Sequence, residues 1–201
     1  MKNHSTTSII LGHKNFGELD KLVFLYNEEL GKIKTIAKGA RRITSKFTGH
    51  IESLNICKTQ LYFGPRNIIL TETESVNTFK KIRESLEKTS CALQIAEITD
   101  KLIYENQKIE GLNELFLETM NYIENTENPQ IGPIYYSIKL LDKTGLIPNF
   151  KETETNISIK YRRLFYFIQN NSLEKTGQIK ISRSENKEID EIIDKIMKTS
   201  F

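Results

Sequence analysis

The chain has 201 residues, of which 38% are hydrophobic and 27% charged, and its formal net charge is +3. This balance is typical of a globular protein with a core of its own and excludes a disordered chain. No apolar run approaches the ~20 residues of a membrane helix, and the first residues lack the apolar stretch of a signal peptide. Because the two cysteines, Cys57 and Cys91, lie far apart in unlike contexts, we expect a cytoplasmic protein without a disulfide framework.

The first part of the chain has the pattern of short β-strands. Five runs rich in β-branched and aromatic residues are separated by turns that contain glycine. The predicted strands are Thr7–Leu11, Lys21–Tyr26, Lys32–Lys38, Ser53–Phe63 and Asn67–Thr73. Five closely connected strands in about seventy residues predict a small antiparallel barrel, and we expect an OB-fold, although an SH3-like barrel fits the pattern nearly as well.

From residue 76 the apolar pattern takes the period of α-helices. The first predicted helix follows Asn77 as a candidate N-cap. Its apolar face comprises Phe79, Ile82, Leu86 and Leu93, and the helix continues or restarts through Ile103. Later amphipathic stretches lie at residues 112–123, 133–141, 157–169 and 185–198. We therefore expect an α+β chain of two domains, an N-terminal OB-fold at 1–75 and a C-terminal α-helical bundle at 76–201.

A basic segment follows the second predicted strand. Six basic side chains and no acidic one lie in it: Lys32, Lys34, Lys38, Arg41, Arg42 and Lys46. Residues 1–75 hold 11 basic and 7 acidic residues, a net of +4, whereas residues 76–201 hold 18 and 19, a net of −1. Residues two apart on a strand face the same side, so the three lysines at 32, 34 and 38 project together. Such a cluster predicts a phosphate site, although solvated surface explains a charge run as well.

Several motifs, in their order and spacing, resemble one protein family. These are the turn Phe16-Gly17-Glu18, Asp20 before the Leu22–Leu25 strand, Gly31-Lys32, the Ala37–Arg42 run AKGARR, and Leu61-Tyr62 followed by Gly64. Through them the chain resembles the RecO recombination mediators of bacterial DNA repair, closely over residues 9–64 and loosely beyond. The string LLDKTGLIPNF resembles the helix end and Gly-x-x-Pro turn of many members, and MKTSF resembles the basic end of the family.

The resemblance implies a non-enzymatic protein of the bacterial cytoplasm, associated with the nucleoid. Such proteins bind single- and double-stranded DNA, anneal complementary strands, and contact the C-terminal tail of the single-stranded-DNA-binding protein. With the partner RecR they help load the recombinase RecA. The residues that match the basic motif, and that we expect at the DNA, are Lys32, Lys34, Lys38, Gly39, Arg41, Arg42 and Lys46. Lysine is a point charge and arginine forks onto phosphate oxygens, and neither contact reads a base.

The same resemblance implies a site for the acidic, aromatic-ended tail in the helical domain. Arg162, Arg163 and Phe165 have side chains that suit such a tail. The solvent-exposed side of a helix accounts for residues of these types equally well. In many members four cysteines hold zinc after the Gly-x-x-Pro turn, whereas residues 149–163 here are NFKETETNISIKYRR. We therefore expect no zinc and no cofactor. Partner contacts that depend on the zinc knuckle are in doubt.

Catalysis has little support in the sequence. The carboxylates of Glu18 and Asp20 lie among lysines, which predicts solvated ion pairs rather than a catalytic pair. The aromatic residues Phe16, Tyr26, Tyr62 and Phe63 predict core packing for most of them, with one or two exposed for stacking on bases. Two alternatives remain open at this point: an OB-fold protein that binds RNA, for instance at the ribosome, and an interaction scaffold whose basic segment is only surface.

Overall fold

The computed structural model describes residues 3–150 and 157–199. The chain divides into two compact units, each formed by two segments. The barrel unit comprises Met1–Lys80 and Ala96–Ile109, and the helical unit comprises Lys81–Ile95 and Glu110–Phe201. Residues 96–109 therefore group with the barrel, although they lie beyond the boundary expected after residue 75, and that boundary stays a prediction.

Five strands form the barrel: β1 (Asn3–Phe16), β2 (Asp20–Asn27), β3 (Gly31–Ala37), β4 (Ile56–Phe63) and β5 (Ile68–Asn77). They close in the order β1-β2-β3-β5-β4. The β3–β5 pair is parallel and runs over Thr35–Ala37, and the other pairs are antiparallel. A closed five-stranded barrel of this order is an OB-fold, which confirms the predicted fold class.

The alternation within β3 shows why these residues form a barrel wall. Ile33 and Thr35 are buried and Lys34 between them is exposed, whereas Ile36 and Ala37 at the end of the strand are both buried. Burial of one face of each strand assembles a single apolar core inside the barrel. Its buried members are Ile10, Val23, Leu25, Ile33, Ala37, Ala40, Phe47, Ile51, Cys57, Leu61 and Leu70. Three of these residues, at positions 40, 47 and 51, come from the long connection between β3 and β4, which is thereby fastened to the core.

Seven helices follow the strands in the described part of the chain. They are α1 (Lys80–Arg83), α2 (Leu86–Leu102), α3 (Leu112–Asn125), α4 (Ile131–Lys143), α5 (Ile159–Asn170), α6 (Leu173–Thr176) and α7 (Arg183–Thr199). In the helical unit α4 packs against α3, α5, α6 and α7. Ten of its thirteen residues are buried, so this helix forms the centre of that unit's core.

The first predicted helix differs from the observed one. Phe79 and Ile82 are buried as expected, but Leu86 and Leu93 are 88% and 45% exposed, so their assignment to the same apolar face was wrong. The physical reason is an interruption between α1 and α2, which resets the helical phase. Asn77 does act near a helix start, because its Oδ1 accepts a hydrogen bond from the Phe79 N–H at 2.9 Å.

Candidate nucleic-acid interface

The basic segment lies on β3 and on the connection that follows it. Lys34, Lys38, Arg41, Arg42 and Lys46 are exposed. Lys32 and Gly39 are partly buried. We call residues 38–47 the basic loop. The structure therefore brings the predicted DNA-binding residues together in one stretch of the barrel unit, on the strand face opposite the core and on the loop beyond it.

Three hydrogen bonds fasten the basic loop to the turn between β1 and β2. The Gly39 N–H donates to Asp20 Oδ1 at 2.8 Å. The backbone N–H of Arg41 donates to the Leu19 carbonyl at 2.9 Å, and its Nη1 donates to the Gly17 carbonyl at 2.9 Å. Gly39 has a φ of +69°, a conformation that suits glycine. Two family motifs that lie twenty residues apart in sequence thus form one hydrogen-bonded corner.

Backbone hydrogen bonds between its own residues also order the basic loop. Successive turns are closed by hydrogen bonds from the Arg42 N–H to the Gly39 carbonyl at 3.1 Å and from the Ser45 N–H to the Arg42 carbonyl at 3.0 Å. Its two ends are held in the barrel core, since Ala40 is 8% and Phe47 3% exposed. The positions of the exposed cations are therefore set by buried neighbours on both sides.

Two of the six cations have acidic partners. The Lys32 Nζ lies 3.0 Å from Asp100 Oδ1 and also donates to the backbone carbonyl of Asp100. The Lys34 Nζ lies 2.7 Å from Glu105 Oε2, and this hydrogen bond together with the carboxylate charge raises the pKa of Lys34. The basic segment contains no acidic residue of its own, and the carboxylates that pair with its lysines come from residues about seventy positions later.

The partner of Lys34, Glu105, belongs to a stretch that lies along β3, whereas Asp100 is a residue of α2. In this 103–109 segment, the Asn106 N–H donates to the Lys32 carbonyl at 2.7 Å, and the Lys32 N–H donates to the Gln107 carbonyl at 3.3 Å. Gly31 has no room for a side chain, because a Cβ there would lie 2.3 Å from the Gln107 carbonyl oxygen. The segment therefore covers the first half of β3 with backbone hydrogen bonds as well as with charge.

The four other basic side chains of the segment are more accessible to a phosphate ligand. Within residues 3–150 and 157–199, the side chains of Lys38 and Arg42 take part in no ion pair. The Lys46 Nζ lies 5.9 Å from the centroid of the Phe47 ring. Arg41 donates one of its guanidinium N–H groups to the Gly17 carbonyl and keeps others for a ligand. Their positive charge can attract phosphate.

The aromatic residues divide between core and surface. Tyr26 is fully buried, Tyr62 and Phe63 are partly buried, and Phe16 is 47% exposed beside the basic loop. Sequence analysis overlooked Phe24, a partly exposed β2 residue that lies opposite Lys34. The Lys14 Nζ lies 5.6 Å from the centroid of its ring. The alternation of β2 is the signal that could have identified it.

The candidate tail-binding residues lie on α5. Arg163 is exposed and Arg162 is partly buried. Phe165 is fully buried, with its ring centroid 5.4 Å from that of Phe150, so this side chain belongs to the core of the helical unit. The aromatic rings that α5 does expose are Tyr166 and Phe167, at 40% and 39%.

The described residues contain no set of side chains that fits a zinc site. No three His, Cys, Asp or Glu side chains of the described ranges are grouped so that they could hold a metal ion. Cys57 and Cys91 are buried in different units, and burial raises the pKa of Cys91 to about 12. The stretch where the family's knuckle is expected falls partly on residues 151–156, which lie outside the described residues. Over the described ranges, no helix is both long and apolar enough to span a bilayer.

Comparison with known proteins identifies relatives of both parts of the chain. A family model described as the N-terminal part of recombination protein O matches residues 1–79, and a model of its C-terminal part matches residues 83–154. A DNA repair protein RecO of Oceanobacillus iheyensis is 31% identical over 140 residues, which are 70% of this chain and 54% of that protein.

Two further relatives are similar to the same extent. A DNA repair protein RecO of a Thermoanaerobacter species is 32% identical over 152 residues, 74% of this chain and 60% of that protein. A DNA repair protein RecO of Dehalococcoides mccartyi is 30% identical over 147 residues, 73% of this chain and 58% of that protein. The chain thus matches between 54% and 60% of the length of these curated relatives.

Proposed function

The chain belongs to the RecO family, and on that premise we propose that it is a DNA-binding recombination mediator in DNA repair. It binds single- and double-stranded DNA and anneals complementary strands. Together with RecR, it helps load RecA onto DNA that is coated by the single-stranded-DNA-binding protein. The role requires no catalytic group of its own. It is exercised in the bacterial cytoplasm, at the nucleoid.

The observation that supports this proposal is the basic loop and its anchoring. Lys38, Arg42 and Lys46 are exposed on a backbone that is bonded to the β1–β2 turn and held in the barrel core. A prearranged row of cations attracts phosphates without losing the entropy of loop ordering. Contacts of this kind are independent of base sequence, as a protein that acts on any strand requires.

Lys32 and Lys34 have a secondary part in the proposed interface. Their ammonium groups are paired with Asp100 and Glu105, so a phosphate must displace a carboxylate to reach them. Arg41 joins Arg42 at the corner, and Gly39 provides the bend that brings the loop to Asp20. We therefore place the centre of the DNA site on the basic loop and its edge on β3.

The decisive test of DNA binding reverses the charge of two basic-loop residues that take part in no ion pair in the described part of the chain. We expect the double substitution Lys38→Glu with Arg42→Glu to weaken binding of a 20-nucleotide single strand at least about tenfold. The slope of log affinity against log salt should fall in magnitude by ~1.4, since each lost phosphate contact contributes ~0.7. Fluorescence anisotropy at several salt concentrations measures both quantities.

The matched control is Lys58→Glu with Arg66→Glu, which changes the net charge equally at two exposed positions of the barrel unit that are not part of the basic loop. It should leave the slope close to that of the unmodified chain. Equal losses in both double variants would show that overall charge, rather than the basic loop, governs binding.

The same variants test the mediator role. The unmodified chain should accelerate annealing of complementary strands coated by the single-stranded-DNA-binding protein, and with RecR it should speed RecA assembly on the coated strand. Both effects should be lost with Lys38→Glu/Arg42→Glu and kept in the control. If the chain binds RNA of equal length more tightly and does not accelerate annealing, an RNA-binding role is the better description.

For the tail of the single-stranded-DNA-binding protein we propose a site on α5 around Arg162 and Arg163. Phe165 supports it from the core, and the exposed rings of Tyr166 and Phe167 offer apolar contact. Calorimetric titration with an acidic peptide that ends in phenylalanine should show about fivefold weaker binding for Arg163→Ala, because a charge-assisted contact is lost. Arg183→Ala, an exposed arginine on α7, is the control. Equal affinities would remove α5 from the proposal.

A further inference from the structure

The basic loop carries one aliphatic side chain, Ile43, that is fully exposed to solvent. It lies three residues after buried Ala40 and four before buried Phe47. The turn that contains it is closed by the hydrogen bond from the Ser45 N–H to the Arg42 carbonyl at 3.0 Å. The backbone therefore holds this side chain in solvent, at the expense of exposing a large apolar surface.

Two more exposed apolar residues lie on the turn to which the loop is bonded. Phe16 is 47% and Leu19 45% exposed. The Arg41 N–H donates to the carbonyl of Leu19 itself, so this turn and the basic loop are direct neighbours. Single exposed apolar residues are ordinary on a protein surface. Three of them on two hydrogen-bonded turns, one of which also carries the exposed cations Lys38, Arg42 and Lys46, are a different case. We call Phe16, Leu19 and Ile43 the apolar tips.

We propose that the apolar tips contact the bases of a single strand whose phosphates lie on Lys38, Arg42 and Lys46; the inference rests on the proposed function and deepens it. A single strand carries apolar base faces beside charged phosphates. Ile43 directly follows the cation Arg42, and Phe16 and Leu19 flank Gly17 and the exposed Glu18 on the turn to which the basic loop is bonded. Phe16 has a ring on which a base can stack, and Ile43 has the shape of the aliphatic wedges that separate neighbouring bases.

This arrangement predicts a preference for single strands. In a duplex the base faces are covered by stacking, so only the phosphate contacts are available without unstacking a step. In a single strand each base can turn toward the protein, and stacking discriminates little between bases because each has such a face. The apolar tips would thereby separate neighbouring bases of the strand, and binding would not depend on the base sequence.

The test separates base contacts from phosphate contacts with two probes of equal charge. These are a 20-mer of thymidylate and a 20-mer of the same backbone without bases. The double variant Phe16→Ala with Ile43→Ser should bind the thymidylate strand at least about fivefold more weakly, which corresponds to roughly 1 kcal/mol. It should bind the abasic strand as the unmodified chain does, with an unchanged salt slope.

Val76→Ser is the matched control, an exposed aliphatic residue of β5 truncated in the same way, and it should change neither affinity. The inference is overturned if Phe16→Ala/Ile43→Ser binds both probes like the unmodified chain, as it would if the apolar tips served a protein partner. It is also overturned if both probes lose affinity equally. If the unmodified chain shows no salt-dependent binding to either strand, the proposed function itself fails.

Discussion

Lys34 illustrates how one residue's function depends on a partner far along the chain. Its ammonium group and the Glu105 carboxylate are 2.7 Å apart, with 47% and 48% of the two side chains exposed. Ion pairs this exposed contribute little to stability, because water and salt screen them. If DNA binds at Lys34, as proposed above, the carboxylate competes with the phosphate for the lysine.

Removing this competitor should strengthen DNA binding. We expect Glu105→Gln to raise single-strand affinity about threefold at low salt and to increase the magnitude of the salt slope by ~0.7, the contribution of one phosphate contact. The control Glu97→Gln makes the same charge change and removes the ion pair between Glu97 and Lys101, whose charged atoms are 2.7 Å apart. Anisotropy titrations compare the two. If both substitutions act alike, Lys34 does not contact DNA.

At the scale of elements, the strands could be predicted from the sequence. The contacts that the basic residues on them make could be predicted only in part. The basic residues that match the family motif lie together on β3 and the basic loop, and their contact with DNA stays a prediction. Runs rich in β-branched and aromatic residues identified all five strands of the barrel, and turn residues separated them. This much follows from local pattern, because the period of a strand and the chemistry of a turn are properties of neighbouring residues.

What the pattern could not provide depends on contacts between distant residues. The acidic partners of Lys32 and Lys34 lie about seventy residues later, and no periodicity predicts their approach. The attachment of the basic loop to the β1–β2 turn is of the same kind. The misplacement of Leu86 and Leu93 has a local cause, since the break between α1 and α2 rotates the helical phase.

At the scale of the whole chain, Tyr26 ties the end of the 103–109 segment to the barrel. Its side chain is fully buried. The hydroxyl donates to the Ile109 carbonyl at 3.0 Å and accepts from the Ile109 N–H at 2.9 Å. A stretch that follows a helix in sequence is thus bonded to the second strand, which explains why residues 96–109 group with the barrel unit.

Loss of this hydroxyl should loosen the attachment. We expect Tyr26→Phe to lower the free energy of unfolding of the barrel unit by about 1–3 kcal/mol, because the buried backbone groups of Ile109 lose their partner. Amide hydrogen exchange should be faster at positions 106 and 109 while the helical unit keeps its protection. Tyr166→Phe, at an exposed position of α5, is the control. Unchanged exchange at Ile109 would contradict the role given to the hydroxyl.

The backbone pairing of the 103–109 segment also bears on self-association of the protein. Because β3 pairs with β5 over Thr35–Ala37, its first residues would present a free row of backbone donors and acceptors, which is a template for pairing with another chain. Asn106 and Gln107 occupy those groups at Lys32. The segment that supplies Glu105 to Lys34 thus also covers backbone groups through which the barrel edge could pair with another chain.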